Sequence, residues 1–210
     1  MTTTQKGFTL IELIVTIAIL AILVAILVVA INPAEQLARA RDTKRVADLD
    51  ALKTALNLYL AQATTTINLS GDGTADARCK GGTGTATLFT FNSTAATTTA
   101  TYTARSASTT QTIGGAGWLP ARFDLTPGGS PISNLPIEPK GTGDSTYFYA
   151  YVCDTTGSNE TYMLVARLES SYFATDLDVD GKDGGGSATT YLAATYYEVG
   201  SDPGLDLLKD

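Results

Sequence analysis

The sequence contains no histidine. The residue most often used to move protons near neutral pH, and the commonest metal ligand, is therefore missing. Ser-His and Cys-His nucleophile systems are excluded with it. Cysteine is scarce too, with Cys79 and Cys153 the whole supply. An even pair permits one disulfide where the bulk of a chain is exported, and two free thiols otherwise. Basic residues are few, 14 Lys and Arg against 21 Asp and Glu, for a net charge of −7. A chain this acidic has no general attraction for phosphate backbones, so no specific nucleic-acid partner is expected. Between residues 64 and 117 large apolar side chains are rare, and Thr, Ala, Ser and Gly dominate. Glycoside hydrolysis would need a carboxylate pair flanking a cleft, but the clustered aspartates fall in Gly-rich stretches. No catalytic residue is expected, and the chain does not read as an enzyme.

What the chain does have is one long apolar run. Phe8 to Ile31 is 24 residues in which Glu12 is the only charge. At ~1.5 Å per residue a helix of that length reaches roughly 36 Å, enough to cross a hydrocarbon core of about 30 Å with some tilt. An ionisable group inside such a segment costs on the order of 2.5–3.5 kcal/mol and needs a partner or a purpose. A small-residue cleavage site after the run, as a secretory leader requires, is lacking at Val28-Val29-Ala30-Ile31-Asn32-Pro33, so the run should stay attached.

The string Lys6-Gly7-Phe8-Thr9-Leu10-Ile11-Glu12, after a short polar leader, resembles the signal of bacterial type IV pilins and pseudopilins. The resemblance covers the first third of the chain. It implies that a prepilin peptidase cuts between Gly7 and Phe8 and methylates the new amine. Glu12, then the fifth residue, would pair with the Phe8 amine of a neighbouring subunit. Loss of residues 1–7 takes Lys6 with it and leaves a net charge of −8. Charge alone points the other way on topology: Lys6 precedes the run while Arg39, Arg41, Lys44 and Arg45 follow it, which would hold the C-terminal side in the cytoplasm. The resemblance instead requires the leader inside and the bulk outside.

Asn32-Pro33 interrupts the run. Pro33 has no N–H for the Val29 carbonyl and biases Asn32 away from helix, so a kink or a short extended segment is expected. In the pilin family a proline in this half of the helix accompanies a stretch that melts on assembly; here it sits somewhat later than usual. Helix should resume from Ala34 to about Ala63, with Val46, Leu49, Leu52, Leu56 and Tyr59 on one stripe. The opposite face carries mixed charge, including Arg41 with Arg45 and Lys44 with Asp48. It reads as a solvated face, or as a source of salt bridges between subunits, rather than as a nucleic-acid patch.

Beyond the helix, Leu88–Phe91 and Thr101–Thr103 offer at most a weak hairpin. Three Asn-x-Ser/Thr sequons read as chance matches. Pro127, Pro131, Pro136 and Pro139 make an ordered loop that Trp118 and Phe123 should anchor. Strands are expected at 146–153, 162–168 and 190–199. The first puts Tyr147, Tyr149 and Tyr151 on one face, half-buried with wet hydroxyls rather than lining a ligand groove. Three antiparallel strands could bury the helical stripe.

Asp176, Asp178, Asp180 and Asp183, with Gly181, form the front half of a calcium loop. Its closing Glu would fall at Ser187, so a full EF-hand is absent. Major pseudopilins are similar here, with an Asp-Gly-x-x-Gly-Gly segment and a calcium ion. Calcium is the one cofactor the sequence suggests, and none is required.

The expected architecture is α+β and type IV pilin-like: leader 1–7, apolar membrane or filament-core helix 8–31, amphipathic helix 32–63, and head 64–210 with a Thr/Gly-rich connection. The expected function is a structural subunit of a type IV pilus-like filament. It would be held in the cytoplasmic membrane as a precursor and found on the cell surface when assembled. Its partners would be copies of itself, the prepilin peptidase and the pilus assembly machinery. The alternatives are a pseudopilin of a type II secretion or DNA-uptake machine, or a membrane-tethered adhesin or DNA-binding module that does not polymerise.

Overall fold

Without glycine or proline to interrupt it, the apolar run forms a single helix, α1, Leu10–Ile31. The computed structural model describes residues 7–62, 69, 79, 87–91, 104–141, 146–154, 160–173 and 196–201, with side chains left aside at 87–91 and 104–107. The chain divides into two compact units, Met1–Ala38 and Arg39–Asp210. In the first, no residue of α1 is buried, and the helix is long and apolar enough to cross a membrane.

The break after α1 is one residue long. Asn32 takes the left-handed conformation (φ 47°, ψ 77°), which Asn tolerates better than other non-glycine residues because its short polar side chain bonds locally. The same residue starts the next helix. Its side-chain Oδ1 accepts from Glu35 N at 3.4 Å and its carbonyl from Gln36 N at 3.3 Å. Pro33 then occupies the first helical position, where its missing N–H costs nothing. Asn32 is thus C-cap and N-cap at once, and α2 runs Pro33–Gln62.

In the second unit, α2 lies on a sheet of order β2-β1-β3-β4-β5. The strands are β1 Thr87–Phe91, β2 Ala104–Ser108, β3 Tyr149–Asp154, β4 Thr161–Arg167 and β5 Tyr196–Gly200. β3, β4 and β5 form the expected antiparallel set, with Cys153 opposite Tyr162 and Val165 opposite Glu198. Leu88–Phe91 of the expected hairpin falls in β1, while its second arm, Thr101–Thr103, lies outside the described residues. β1 pairs with β2 in parallel and with β3 antiparallel, so the sheet is extended by two strands rather than flanked by a separate ribbon.

Leu49, Leu52, Ala55, Leu56 and Tyr59 of α2 meet Tyr149, Tyr151, Cys153, Tyr162, Leu164, Ala166, Tyr197 and Val199 in one core. The hydroxyls of Tyr149, Tyr151, Tyr162 and Tyr197 have partners within the chain rather than relying on water. Tyr149 donates to Asp48 Oδ2 at 2.8 Å, Tyr162 to Asn57 Oδ1 at 2.8 Å, and Tyr197 reaches Asp50 Oδ1 at 3.4 Å. Three strands therefore hydrogen-bond across the core to polar groups of α2, which satisfies hydroxyls that burial would otherwise penalise. The loop before β3 is anchored as expected: Trp118 and Phe123 are buried, and Trp118 Nε1 donates to the Pro136 carbonyl at 3.1 Å. Gly117 is required there, since a Cβ would fall 2.2 Å from the Thr112 carbonyl oxygen and 2.4 Å from Leu135 Cδ1.

Candidate functional site

The first turn of α1 places the residues of the N-terminal motif. Gly7 stands in open space, with nothing within 4 Å of where a Cβ would be, and Phe8 is 83% exposed. Thr9 is the N-cap. Its hydroxyl accepts from Glu12 N at 3.3 Å, while Glu12 Oε2 accepts from Thr9 N at 2.9 Å and from Thr9 Oγ1 at 2.7 Å. This is a capping box, and it satisfies two donors that a helix start leaves orphaned. It also supplies the lone carboxylate of the apolar run with partners from its own chain. The spacing Thr-x-x-Glu ahead of an apolar run was the available signal. Phe8, Ile11, Glu12, Val15 and Thr16 line one face as a shallow, mostly apolar groove with the carboxylate in it.

A second polar site lies in the Arg39–Asp210 unit and was not expected. Arg45 is fully buried, as is Asp42, on the same face of α2 as Leu49 and Leu52. The Arg45 Nε donates to both oxygens of Glu138 at 3.1 Å, Nη2 donates to Glu138 Oε1, and Nη1 donates to Asp42 Oδ1 at 2.6 Å. Asp42 also accepts from Glu169 N at 3.0 Å and from Ser170 N and Oγ at 2.7 Å each. Glu169 pairs with Arg41 Nε at 2.5 Å and with Lys140 Nζ, and lies 3.5 Å from Arg45 Nη1. Arg45 and Lys140 further stack on the Tyr147 ring, 4.8 and 3.9 Å from its centroid. Burial works against the Arg45 charge, but the hydrogen bonds and charges of Glu138 and then Asp42 overcome it and push its pKa up. Burial likewise opposes the Glu169 charge, and Arg41 and Lys140 outweigh it, holding that carboxyl below its usual value. Asp48 is raised, mainly by burial, and Tyr149 is raised well above the usual phenol by burial and the neighbouring Asp48.

This arrangement corrects the sequence reading. Arg45 does not lie on a solvated face but is fully buried, and Arg41 is half-buried against Glu169. They are tied within the chain to Asp42, Glu138 and Glu169. Arg39 lies 4.5 Å over the Tyr172 ring. The set joins α2 to the segments at 138–140 and 169–170, a structural latch with nothing in it that points to catalysis.

The remaining expected sites fall as follows. Cys79 and Cys153 are joined in a disulfide, both buried. Pro33 marks the helix break described above. Asp176, Asp178, Asp180 and Asp183 lie outside the described residues. Among the described residues, no group of three or more Cys, Asp or Glu is arranged to hold a metal ion.

Residues 2–28 match the family described as the prokaryotic N-terminal methylation motif. No curated protein and no solved structure matches the chain at a significant level. The groove of Phe8 and Glu12 thus lies inside that motif, and the chain carries the type IV prepilin-type signal on a long apolar helix, followed by a second helix and a small antiparallel sheet.

Proposed function

We propose that this protein is a structural subunit of a type IV pilus-like filament. The reading rests above all on one observation: an apolar helix with no buried residue, whose only charge is Glu12, set directly behind a methylation motif. The motif supports a pilin- or pseudopilin-type protein made as a membrane-anchored precursor. Cleavage after Gly7 would release Phe8 as the methylated terminus. In lipid, α1 has the acyl chains for company; extracted from the membrane, it has only copies of itself to cover it. Burial of the 8–31 surface then drives assembly. Glu12 sets register, because a placement that leaves its carboxylate unpaired in a dry bundle costs several kcal/mol.

The test is Glu12→Ala in the full-length chain. The variant should insert in the membrane and be cleaved, yet form no surface fibres visible by electron microscopy. Normal fibres from it would sink the proposed role. Fibres with N-methylphenylalanine at their subunit terminus by mass spectrometry separate a polymer from a tethered binding module. Short fibres confined to the envelope would identify a pseudopilin.

A further inference from the structure

Cys153 lies in β3, the middle strand of the sheet, opposite Tyr162 of β4. Cys79 lies 74 residues earlier, between α2 and β1. Both sulfur-bearing residues are 0% exposed and belong to the central core with Leu56, Tyr151 and Leu164. Two residues from Cys153, on the same face of β3, the Tyr151 hydroxyl donates to the Leu69 carbonyl at 3.1 Å. One strand face thus holds both Leu69 and Cys79, and both ties lie in the core that α2 packs onto.

Thiol–disulfide exchange needs an attacking thiolate to reach a sulfur from outside, through a mixed-disulfide intermediate. Both cysteines are without exposed surface in the folded head, so such an approach requires the head to be open. We infer that the Cys79–Cys153 bond is made before the head closes, by a partner whose own disulfide is the oxidant, and that closure then shields it from reductants. In balance, one cysteine thiolate attacks the oxidant's disulfide and forms a mixed disulfide, expelling one oxidant thiolate. The second cysteine thiolate then displaces the remaining oxidant sulfur. The chain loses two electrons and two protons, and the oxidant leaves as a dithiol. The compartment must be an oxidising one, since the thiols are kept reduced elsewhere. The order of events holds whether or not the chain forms filaments.

The experiment uses the full-length chain in nonionic detergent, unfolded and reduced in urea and then returned to folding conditions. Oxidised glutathione is added after increasing delays, and free thiols are counted by maleimide-polyethylene glycol gel shift. Closure is followed by fluorescence of Trp118. Oxidation should slow at least tenfold as the Trp118 signal reaches its native value, and the native bond should resist millimolar dithiothreitol at least tenfold longer than in urea. A reduced chain that never closes also places oxidation first. Closed, reduced chain that oxidises as fast as unfolded chain, or a native bond that is reduced as fast as in urea, would overturn the inference.

Discussion

Replacing Arg45 by methionine should be the most damaging single change to a charge in this protein. Methionine keeps much of the side-chain bulk but removes the guanidinium, which leaves two buried carboxylates behind. They are not equally exposed to the loss. Asp42 keeps three donors, from Glu169 N, Ser170 N and Ser170 Oγ. Among the described residues, Glu138 keeps Lys140 N alone, at 3.2 Å. Breaking a buried pair by removing one partner costs about 3–5 kcal/mol, most of it the uncompensated charge left behind. For a folded unit of this size that corresponds to a fall in Tm of about 6–20 °C. Trp118 is the chain's one tryptophan and is buried, so its fluorescence during urea unfolding of the full chain in detergent reports the transition. Two controls decide the cause. Lys44→Met, on the exposed side of α2, should cost no more than about 1 kcal/mol. The double variant Arg45→Met with Glu138→Leu should be more stable than Arg45→Met alone, because it removes the orphaned charge as well. The Arg45 effect should also persist in 0.5 M salt, since buried pairs are screened little. If Arg45→Met resembled Lys44→Met, or the double variant lost the two single costs added together, the reasoning would be refuted.

Other outcomes follow from the same structure. Glu169 has a lowered pKa, so its contribution is fully present above the ordinary carboxyl value of 4.5 and is lost as pH falls through its lower folded value. Glu169→Gln should flatten the acid limb of the stability–pH curve below pH 4.5. Tyr149, Tyr151 and Tyr162 have raised pKa values, mainly from burial, so their contribution is intact below about pH 10, the phenol value of the unfolded chain, and fades above it. Absorbance at 295 nm should show these three ionising only with unfolding. Cys79→Ala with Cys153→Ala opens a 74-residue loop, and the chain-entropy relation sets the loss at about 4.5 kcal/mol, measured by the same urea transition. Gly117→Ala forces a Cβ against the Thr112 carbonyl and should cost about 1–3 kcal/mol. If Asp176, Asp178, Asp180 and Asp183 hold calcium, millimolar calcium should raise the Tm of the full chain; no shift would remove the proposal.

Periodicity made the elements legible. The apolar run, the stripe from Leu49 to Tyr59 and the three C-terminal strands carry repeats that depend on neighbours in sequence, and the structure has an element on each. Strand β3 starts at Tyr149 rather than at 146, and residues 190–195 of the third expected strand lie outside the described residues. The buried charges were not legible because the stripe was traced through apolar residues only. Extended backward by the same three- and four-residue steps from Leu49, it passes through Arg45 and Asp42. Their partners are 93 and 127 residues away, beyond any local pattern. The parallel pairing of β1 with β2 was hidden for a related reason, because alternation marks a strand but not the direction of its neighbour. Alternation puts Tyr149 and Tyr151 on one face of β3, but nothing in β3 itself reveals Asp48 across the core. At the N-terminus the charge of Glu12 and the Thr9-x-x-Glu12 spacing of its capping box are both local, and both stand in the sequence.

The latch around Arg45 also shapes the protein's electric field. Arg41, Arg45 and Lys140 balance Asp42, Glu138 and Glu169, so the set carries no net charge and its field dies away within a short distance. Of the 14 basic and 21 acidic residues, three of each are therefore silent at long range. What approaching molecules sense at long range is the acidic excess of the remaining residues. The net negative charge that remains turns polyanions away.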